Sequence, residues 1–378
     1  MAACSSAPNN PTTTVGPPTP PSRAARPAAS PTPSPTSLPT PTREPRIEMD
    51  GVELPPGFSI IKFTDVKNPT ALTFDANGNL FTVGTDFKIL AWIDEDKDGR
   101  ADSSREFATA EELPLGLAVH PDNGNIYLSS THDITIFKDQ NGDLAADDSI
   151  LLVGGLPTGL HQNDNLKFGP DGLLYMGLGS TCDACIELDS RSGTILRFNP
   201  ISGTGEIFAR GLRNPYDLAF HPDTGELFAT DNGRDDLGMD APNEEINHII
   251  QGGDYGWPGC WNAGEGYNCA GKTHAIGFFE PHSSANSIDI YPGGPFPEEF
   301  SGNAFVTIFG SWLKPGVQTG IQRVKLIPDG GSYRTEIEWF VKFPQGVMPL
   351  GLVAGPDGAL YVGDYISGAI WRISYGGE

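Results

Sequence analysis

Five stretches of this chain repeat one pattern: an alternating apolar strand, a tight turn built on Asp or Asn with Gly, and a second alternating strand. They read TALTFDANGNLFTVG (70–84), LGLAVHPDNGNIYLSS (115–130), NLKFGPDGLLYMGLG (165–179), YDLAFHPDTGELFATD (216–231) and LGLVAGPDGALYVGD (350–364). Their turn aspartates Asp75, Asp122, Asp171, Asp223 and Asp357 lie 47, 49, 52 and 134 residues apart. The wide last gap is two periods of 67, and FSGNAFVTI (300–308) stands where a further unit belongs, which makes six. Gly after Asp or Asn supplies the positive φ of a tight hairpin, and period-2 alternation marks half-buried strands. A hairpin recurring about every 50 residues is the signature of a β-propeller with one four-stranded blade per repeat. Two packed sandwiches would not keep so even a period. GFSIIKF (57–63) precedes the first unit and AIWRIS (369–374) follows the last, so the two are expected to share a blade and close the ring. The fold class is all-β, a six-bladed propeller closed by its N- and C-terminal strands.

Residues 1–48 differ in kind. They are almost purely Pro, Thr, Ser and Ala without an apolar period, too poor in apolar surface to offset the entropy of ordering, so a disordered, extended tether is expected. Residues 49–378 then form the propeller domain. Met1-Ala2-Ala3-Cys4-Ser5-Ser6 resembles the end of a bacterial lipoprotein signal, which would make Cys4 a lipid anchor and the tether a spacer. An ordinary tail with an incidental cysteine is the alternative. No run of about 18 apolar residues is present to span a membrane, so membrane contact rests on that anchor. The other four cysteines form two close pairs, Cys182/Cys185 and Cys260/Cys269. An even number suits disulfides and a compartment outside the cytoplasm, with a zinc site as the competing reading. The net charge of −24 makes nucleic acid a poor partner. It also means that any anionic cofactor needs local cations or a metal.

Propellers bind ligands on loops that enter the innermost strands, which draws attention to residues just ahead of each repeat. His161 precedes the third unit within GLHQND (159–164), and a neutral imidazole there can accept a proton. Arg213 and Asn214 precede the fourth in GLRNP (211–215), where a guanidinium suits a carboxylate bidentately and Pro215 holds Asn214 extended. DEDKDGRAD (94–102) sets carboxylates at positions 1, 3, 5 and 9 with Gly at 6, as in a calcium loop, although no Glu at 12 completes an EF-hand. Its candidate ligands are Asp94, Asp96 and Asp98. The stretch DQNGD (139–143) with Asp147 and Asp148 is a looser version.

With their strand-turn-strand context, GLHQ, GLRNP and GGDYGWP (252–258) resemble the pyrroloquinoline quinone (PQQ)-dependent sugar dehydrogenases, the soluble glucose and aldose group and the sorbosone dehydrogenase-like proteins. The resemblance spans residues 57–374 by repeat, with sharp motifs over about a fifth of that. It implies extracytoplasmic oxidation of an aldose or related sugar at the C1 hydroxyl to the lactone or acid, with electrons passed to an external cytochrome or quinone. It implies His161 as the catalytic base and Arg213 as catalytic, with His161, Arg213 and Asn214 contacting cofactor and substrate. It implies a calcium on the carbonyls of Gly233 and Arg234, where the family has Pro in place of Arg234. A second, structural calcium falls to Glu245 and the carbonyl of Tyr255, and FGSWLK (309–314) offers Lys314 as a further cofactor cation. Three positions depart from the family pattern. Asp86 stands where relatives often carry a basic residue, Glu111 and Glu112 where one branch has Gln, and Met348 where Arg is frequent. Alternative readings are a calcium-dependent lactonase-type propeller and a non-catalytic propeller that binds glycans or proteins. Neither the sugar, the acceptor nor the oligomeric state is legible.

Overall fold

A computed structural model describes residues 45–376. Cys4 and nearly all of the expected tether lie outside the described residues. The described chain is almost entirely β, with one short 3-10 turn at Glu298–Phe300. Six four-stranded antiparallel sheets follow one another, and each is a blade. Blades 1 to 5 occupy residues 69–109, 114–153, 163–210, 218–279 and 285–342. Blade 6 takes three strands from 349–375 and its outermost strand, Phe58–Asp65, from the other end of the chain. That strand pairs antiparallel with Ala369–Tyr375, from Phe58 opposite Tyr375 to Asp65 opposite Ala369. The ring therefore closes as the sequence implies. Residues ahead of it already join the sheet, through an Ile47–Ile60 bridge.

The expected turns join the first and second strands of their blades. Gly78, Gly172 and Gly358 have φ of 86°, 73° and 77°, a region that only glycine enters without strain. The turn aspartates are structural. Asp171 accepts the Leu173 N–H and the Tyr175 hydroxyl, and Asp357 does the same for Ala359 and Tyr361. Blade 5 is the one whose turn signal is missing, and the reason is visible. Residues 291–303, carrying the 3-10 turn, replace the short hairpin between Ala285–Ile290 and Ala304–Ile308.

Apolar burial is divided among six wedges, one between each pair of neighbouring blades. The wedge between blades 5 and 6 is aromatic: Phe58 packs edge-on against Phe296, Phe300 and Phe340, with centroids 4.8, 5.4 and 5.0 Å away. Around the axis, side chains on or just ahead of one innermost strand accept N–H groups of a neighbouring one. Asn165 Oδ1 takes Leu117 N–H, Asp217 Oδ2 takes Ile288 N–H, and Asp289 Oδ2 takes Ala354 N–H.

Phe58 is the closing strand's main apolar contact with blade 5. Phe58→Ala is expected to cost about 3–5 kcal/mol, as for other buried Phe truncations, measured as a lower midpoint in urea unfolding. A change below ~1 kcal/mol would mean that the closing strand contributes little to holding the ring.

Candidate active site

Segments entering the innermost strands of blades 3, 4 and 5, and those leaving their second strands, open on one end of the ring. They line a cleft of about 390 Å³, within the range of small-molecule sites. His161 stands two residues ahead of Asn163–Phe168, Arg213 and Asn214 ahead of Leu218–Phe220, and His282 ahead of Ala285–Ile290. Asn232 and Gly233 follow Leu227–Asp231, and Phe309 and Trp312 follow Ala304–Ile308. All of these line the cleft.

His161 is held by its backbone, its N–H donating to the Ser180 carbonyl at 3.1 Å. Its Nε2 is buried and has no hydrogen-bond partner among the described residues. Burial, reinforced by the nearby Arg213 charge and opposed by Asp183, lowers its pKa to about 3. The ring is neutral near pH 7 and has a lone pair to offer. Asn214 Oδ1 and Asn232 Oδ1 are likewise buried without partners. Orphaned polar atoms of this kind are costly unless a ligand or water meets them.

Arg213 is 4% exposed, and most of its donors are engaged. Nε–H donates to the Asp183 carbonyl (3.1 Å), Nη1–H to the Asn232 carbonyl (3.1 Å), and Nη2–H to Asp183 Oδ1 (2.8 Å) and Asp235 Oδ2 (2.9 Å). The residue that the sequence marks for an anionic ligand is thus already flanked by two carboxylates. Asp231 fixes the turn beneath it, Oδ1 accepting the N–H groups of Arg213 and Asn214 at 3.1 and 2.7 Å.

Asp183, Asp235, Glu244 and His282 were not singled out by the sequence. His282 bridges loops, Nε2 facing the Gly238 carbonyl at 2.7 Å and Nδ1 facing Asp235 Oδ1 at 3.3 Å. It sits just before an innermost strand, as His161 and Arg213 do, and that rule alone would have found it. Asp183 lies inside the CxxC pair, where attention went to the cysteines. Glu244 accepts Gly233 N–H at 2.6 Å and Ser284 N–H at 3.3 Å. Glu245 accepts Asn262 N–H at 2.6 Å. Burial is the main cause that raises Asp231 to about 7 and Glu244 and Glu245 to about 8, and the Asp231 charge adds to the rise of both glutamates. Asp231 and Glu244 are buried and Glu245 half-buried, but the three do not bring their oxygens within 4.8 Å of one another, so any hard cation here would need carbonyl or amide oxygens beside them.

Other expected residues point elsewhere. The Lys314 ammonium faces Glu280 (3.1 Å) and Asp240 (3.8 Å), and Trp312 and Leu313 line the cleft beside it. The Arg234 guanidinium pairs with Asp236 at 2.6 Å and lies over Trp261, so only its backbone remains available to a metal. The Tyr255 hydroxyl donates to the His248 carbonyl, leaving its own carbonyl as the expected donor. Asp86, Glu111 and Glu112 are exposed, and Met348 brings no cation to the cleft. The blade 1 loop carries its own group of carboxylates. Asp94, Asp96 and Asp102 bring oxygens within 4.8 Å of one another, whereas Asp98 accepts the Arg100 N–H at 2.9 Å. Asp94 Oδ1 is buried without a partner. Both cysteine pairs are disulfides, Cys182–Cys185 and Cys260–Cys269, which removes the zinc alternative.

Over residues 44–372 the chain matches the family described as a domain of unknown function, DUF7133. It belongs to that family. Curated neighbours of this DUF7133 chain include an uncharacterized protein of Borreliella burgdorferi, 23% identical over 354 residues, covering 86% of this chain and 91% of the relative. Quinoprotein glucose dehydrogenase B of Acinetobacter calcoaceticus is 27% identical over 249 residues, 51% of this chain and 50% of that protein. The chain thus matches about half the length of that relative. Among solved structures, the calcium structure of Trichoderma reesei carbohydrate-active enzymes family AA12 superposes with a TM-score of 0.75 at 19% identity, over 88% of this chain and 99% of that one. The PQQ-bound form of aldose sugar dehydrogenase from Streptomyces coelicolor gives a TM-score of 0.63 at 20% identity, over 85% and 99%. The neighbours with named activities are PQQ-dependent soluble sugar dehydrogenases, and the shared fold is the six-bladed propeller.

The three raised carboxylates fix a pH dependence. A buried acid whose folded pKa lies above its unfolded value binds its proton more tightly when folded, so its stabilisation is lost as pH rises through the folded pKa. His161 is neutral in both states above its unfolded pKa of about 6.5, so the window above that belongs to the carboxylates. Metal-free protein should lose stability in urea between about pH 6.5 and 8, and Glu245→Gln should flatten that slope. A slope unaltered in Glu245→Gln would show that Glu245 is ionised in the folded state throughout.

Proposed function

We propose that this chain is a calcium- and PQQ-dependent dehydrogenase acting outside the cytoplasm. It oxidises the C1 hydroxyl of an aldose or related sugar to the lactone and passes two electrons to an external cytochrome or quinone. The observation that carries this reading is the buried, unpartnered Nε2 of His161, a residue that lines the same cleft as Asn214 and Asn232, whose Oδ1 atoms are likewise without partners. A general base needs a free lone pair within reach of its proton, and a desolvated imidazole supplies it. The relatives named above support the reaction class. The two disulfides support the compartment, and a lipid anchor at Cys4 remains part of the proposal.

The unpartnered oxygens of Asn214 and Asn232 fit a bound polar group, and calcium would supply the positive charge that an anionic quinone needs, because Arg213 and Lys314 already face carboxylates. When bound, PQQ supplies the two-electron acceptor for the hydride leaving C1. Within the chain, His161 Nε2 takes the hydroxyl proton. Asn214 Oδ1 and Asn232 Oδ1 accept hydrogen bonds from substrate hydroxyls and orient the ring. Trp312, 76% exposed at the cleft edge, limits access of water to the bound sugar. Burial, helped by the charge of Arg213, keeps His161 unprotonated, and Asp183 and Asp235 brace that guanidinium. Gly233 and Arg234 carbonyls would hold the calcium of the cleft, Glu245 and the Tyr255 carbonyl a second ion, and Asp94, Asp96 and Asp102 a structural one.

One observation favours a lactonase reading: Glu244, Asn232 and Asn286 line the cleft together, a side-chain set that could hold a metal without PQQ. Purified chain supplied with calcium and PQQ should reduce a dye with an aldose as donor. His161→Ala should slow this by at least about 100-fold while PQQ absorbance survives dialysis; an unchanged rate removes His161 from its role. Lactone hydrolysis with calcium alone would establish the lactonase, and neither activity would leave a binding propeller. For the blade 1 loop, calcium should raise the melting temperature, and Asp102→Asn should remove part of that rise. An equal rise in the variant would exclude that loop as the ligand.

A further inference from the structure

The loop leaving the second strand of blade 3 has no regular structure, yet two functional groups lean on it. His161 N–H donates to the Ser180 carbonyl at 3.1 Å and Leu160 N–H to the Thr181 carbonyl at 2.9 Å. Ser180 N–H donates in turn to the Arg213 carbonyl at 2.7 Å. Thr181 is tied from the other side, its N–H donating to Glu187 Oε1 at 2.7 Å and its hydroxyl to Oε2 at 2.5 Å. One residue then joins three loops. The Asp183 carbonyl accepts Arg213 Nε–H, and its Oδ1 accepts both Arg213 Nη2–H (2.8 Å) and the Asp235 backbone N–H (2.8 Å).

To make those contacts Asp183 must turn its carbonyl and its carboxylate to the same side. A free surface loop would populate that orientation only part of the time, because many backbone conformations compete with it. Asp183 and Ala184 are the two residues enclosed by the Cys182–Cys185 bond, whose Cα atoms lie 6.1 Å apart. The crosslink removes most of those competing conformations. Cys260–Cys269 by contrast ties the blade 4 hairpin around Cys260–Trp261 and makes no contact with Asp183 in any hydrogen bond described.

We propose that the Cys182–Cys185 disulfide is a positioning device for the cleft: it presents Asp183 so that one side chain and one carbonyl hold the Arg213 guanidinium and the 233–236 loop together. Both cysteines are half-buried, so an external dithiol reaches them. Two electrons and two protons pass from the dithiol to the pair, two thiols form, and the dithiol leaves as its own disulfide. Asp183 is then free to swing away, the Asp235 N–H loses its acceptor, and Arg213 loses two of its four bonds. The meaning for cofactor binding rests on the dehydrogenase reading; the geometric claim does not.

Hydrogen exchange of the peptide covering 233–236 tests it. Cys182→Ser/Cys185→Ser should speed exchange there by about tenfold, as loss of a local closing contact does, and Asp183→Ala, which deletes the accepting oxygen, should do the same. Combining the changes should add nothing further, because both remove one contact. Cys260→Ser/Cys269→Ser should leave this peptide unchanged. With calcium and PQQ present, the cofactor Kd should rise about fivefold in either variant and no more in the combination. Unchanged exchange in the Cys182/Cys185 variant overturns the proposal. So do effects of crosslink and Asp183 that multiply, or a rise spread evenly over all six blades, which would signal general loosening. If wild-type protein fails to bind PQQ at all, the dehydrogenase reading falls while the exchange result still decides the clamp.

Discussion

Each innermost strand turns an edge of unpaired backbone toward the ring axis, and side chains of neighbouring blades are what satisfy it. Asn165, Asp217 and Asp289 accept N–H groups from the adjacent innermost strand. Threonines add bonds across blades, Thr70 of an innermost strand to the Pro114 carbonyl and Thr307 of a second strand to the Leu350 carbonyl. Buried N–H groups without acceptors would be costly, so these contacts set how far one blade can rotate against the next. The functional loops inherit that precision. Arg213 is four residues ahead of Asp217, and His161 four ahead of Asn165, so fixing the axis fixes the cleft.

The electrostatics of the cleft follow from the same crowding. Asp231, Glu244 and Glu245 are buried within two adjacent strands, and a chain with net charge −24 has few cations to spare. Arg213 is the buried one at this end of the ring, and Asp183 and Asp235 already flank it. On the dehydrogenase reading, an anionic ligand would find little unmatched positive charge from the chain itself. A divalent cation would then serve two purposes, balancing the buried carboxylates and attracting the ligand. That places the burden of recognition on oxygen donors and on the orphaned Asn214 and Asn232 amides.

The ring was legible because its punctuation is local. An Asp or Asn with Gly between alternating strands encodes a hairpin within a few residues, and the same pattern recurs. Blade 5 escaped this reading where residues 291–303 replace the short turn, since a longer connection has no compact signature. His161, Arg213 and Asn214 were found because they sit at a fixed offset from an innermost strand. Their supporting groups were not: Asp183 and Asp235 reach Arg213 across 30 and 22 residues of sequence, and such contacts exist only once the blades pack. Lys314 shows the converse. Sequence can mark a cation beside a cleft without revealing that Glu280 and Asp240 hold it. In the blade 1 loop the folded backbone sets Asp102 beside Asp94 and Asp96, a contact that spacing alone does not encode.

Both crosslinks span short stretches, three and nine residues of sequence. The entropy a crosslink removes from the denatured chain grows only with the logarithm of the loop it closes, so even bonds this local contribute on the order of 2 to 3 kcal/mol each. Neither ties one blade to another. Reduction would therefore cost the ring a few kcal/mol while leaving the pairing of its six blades intact.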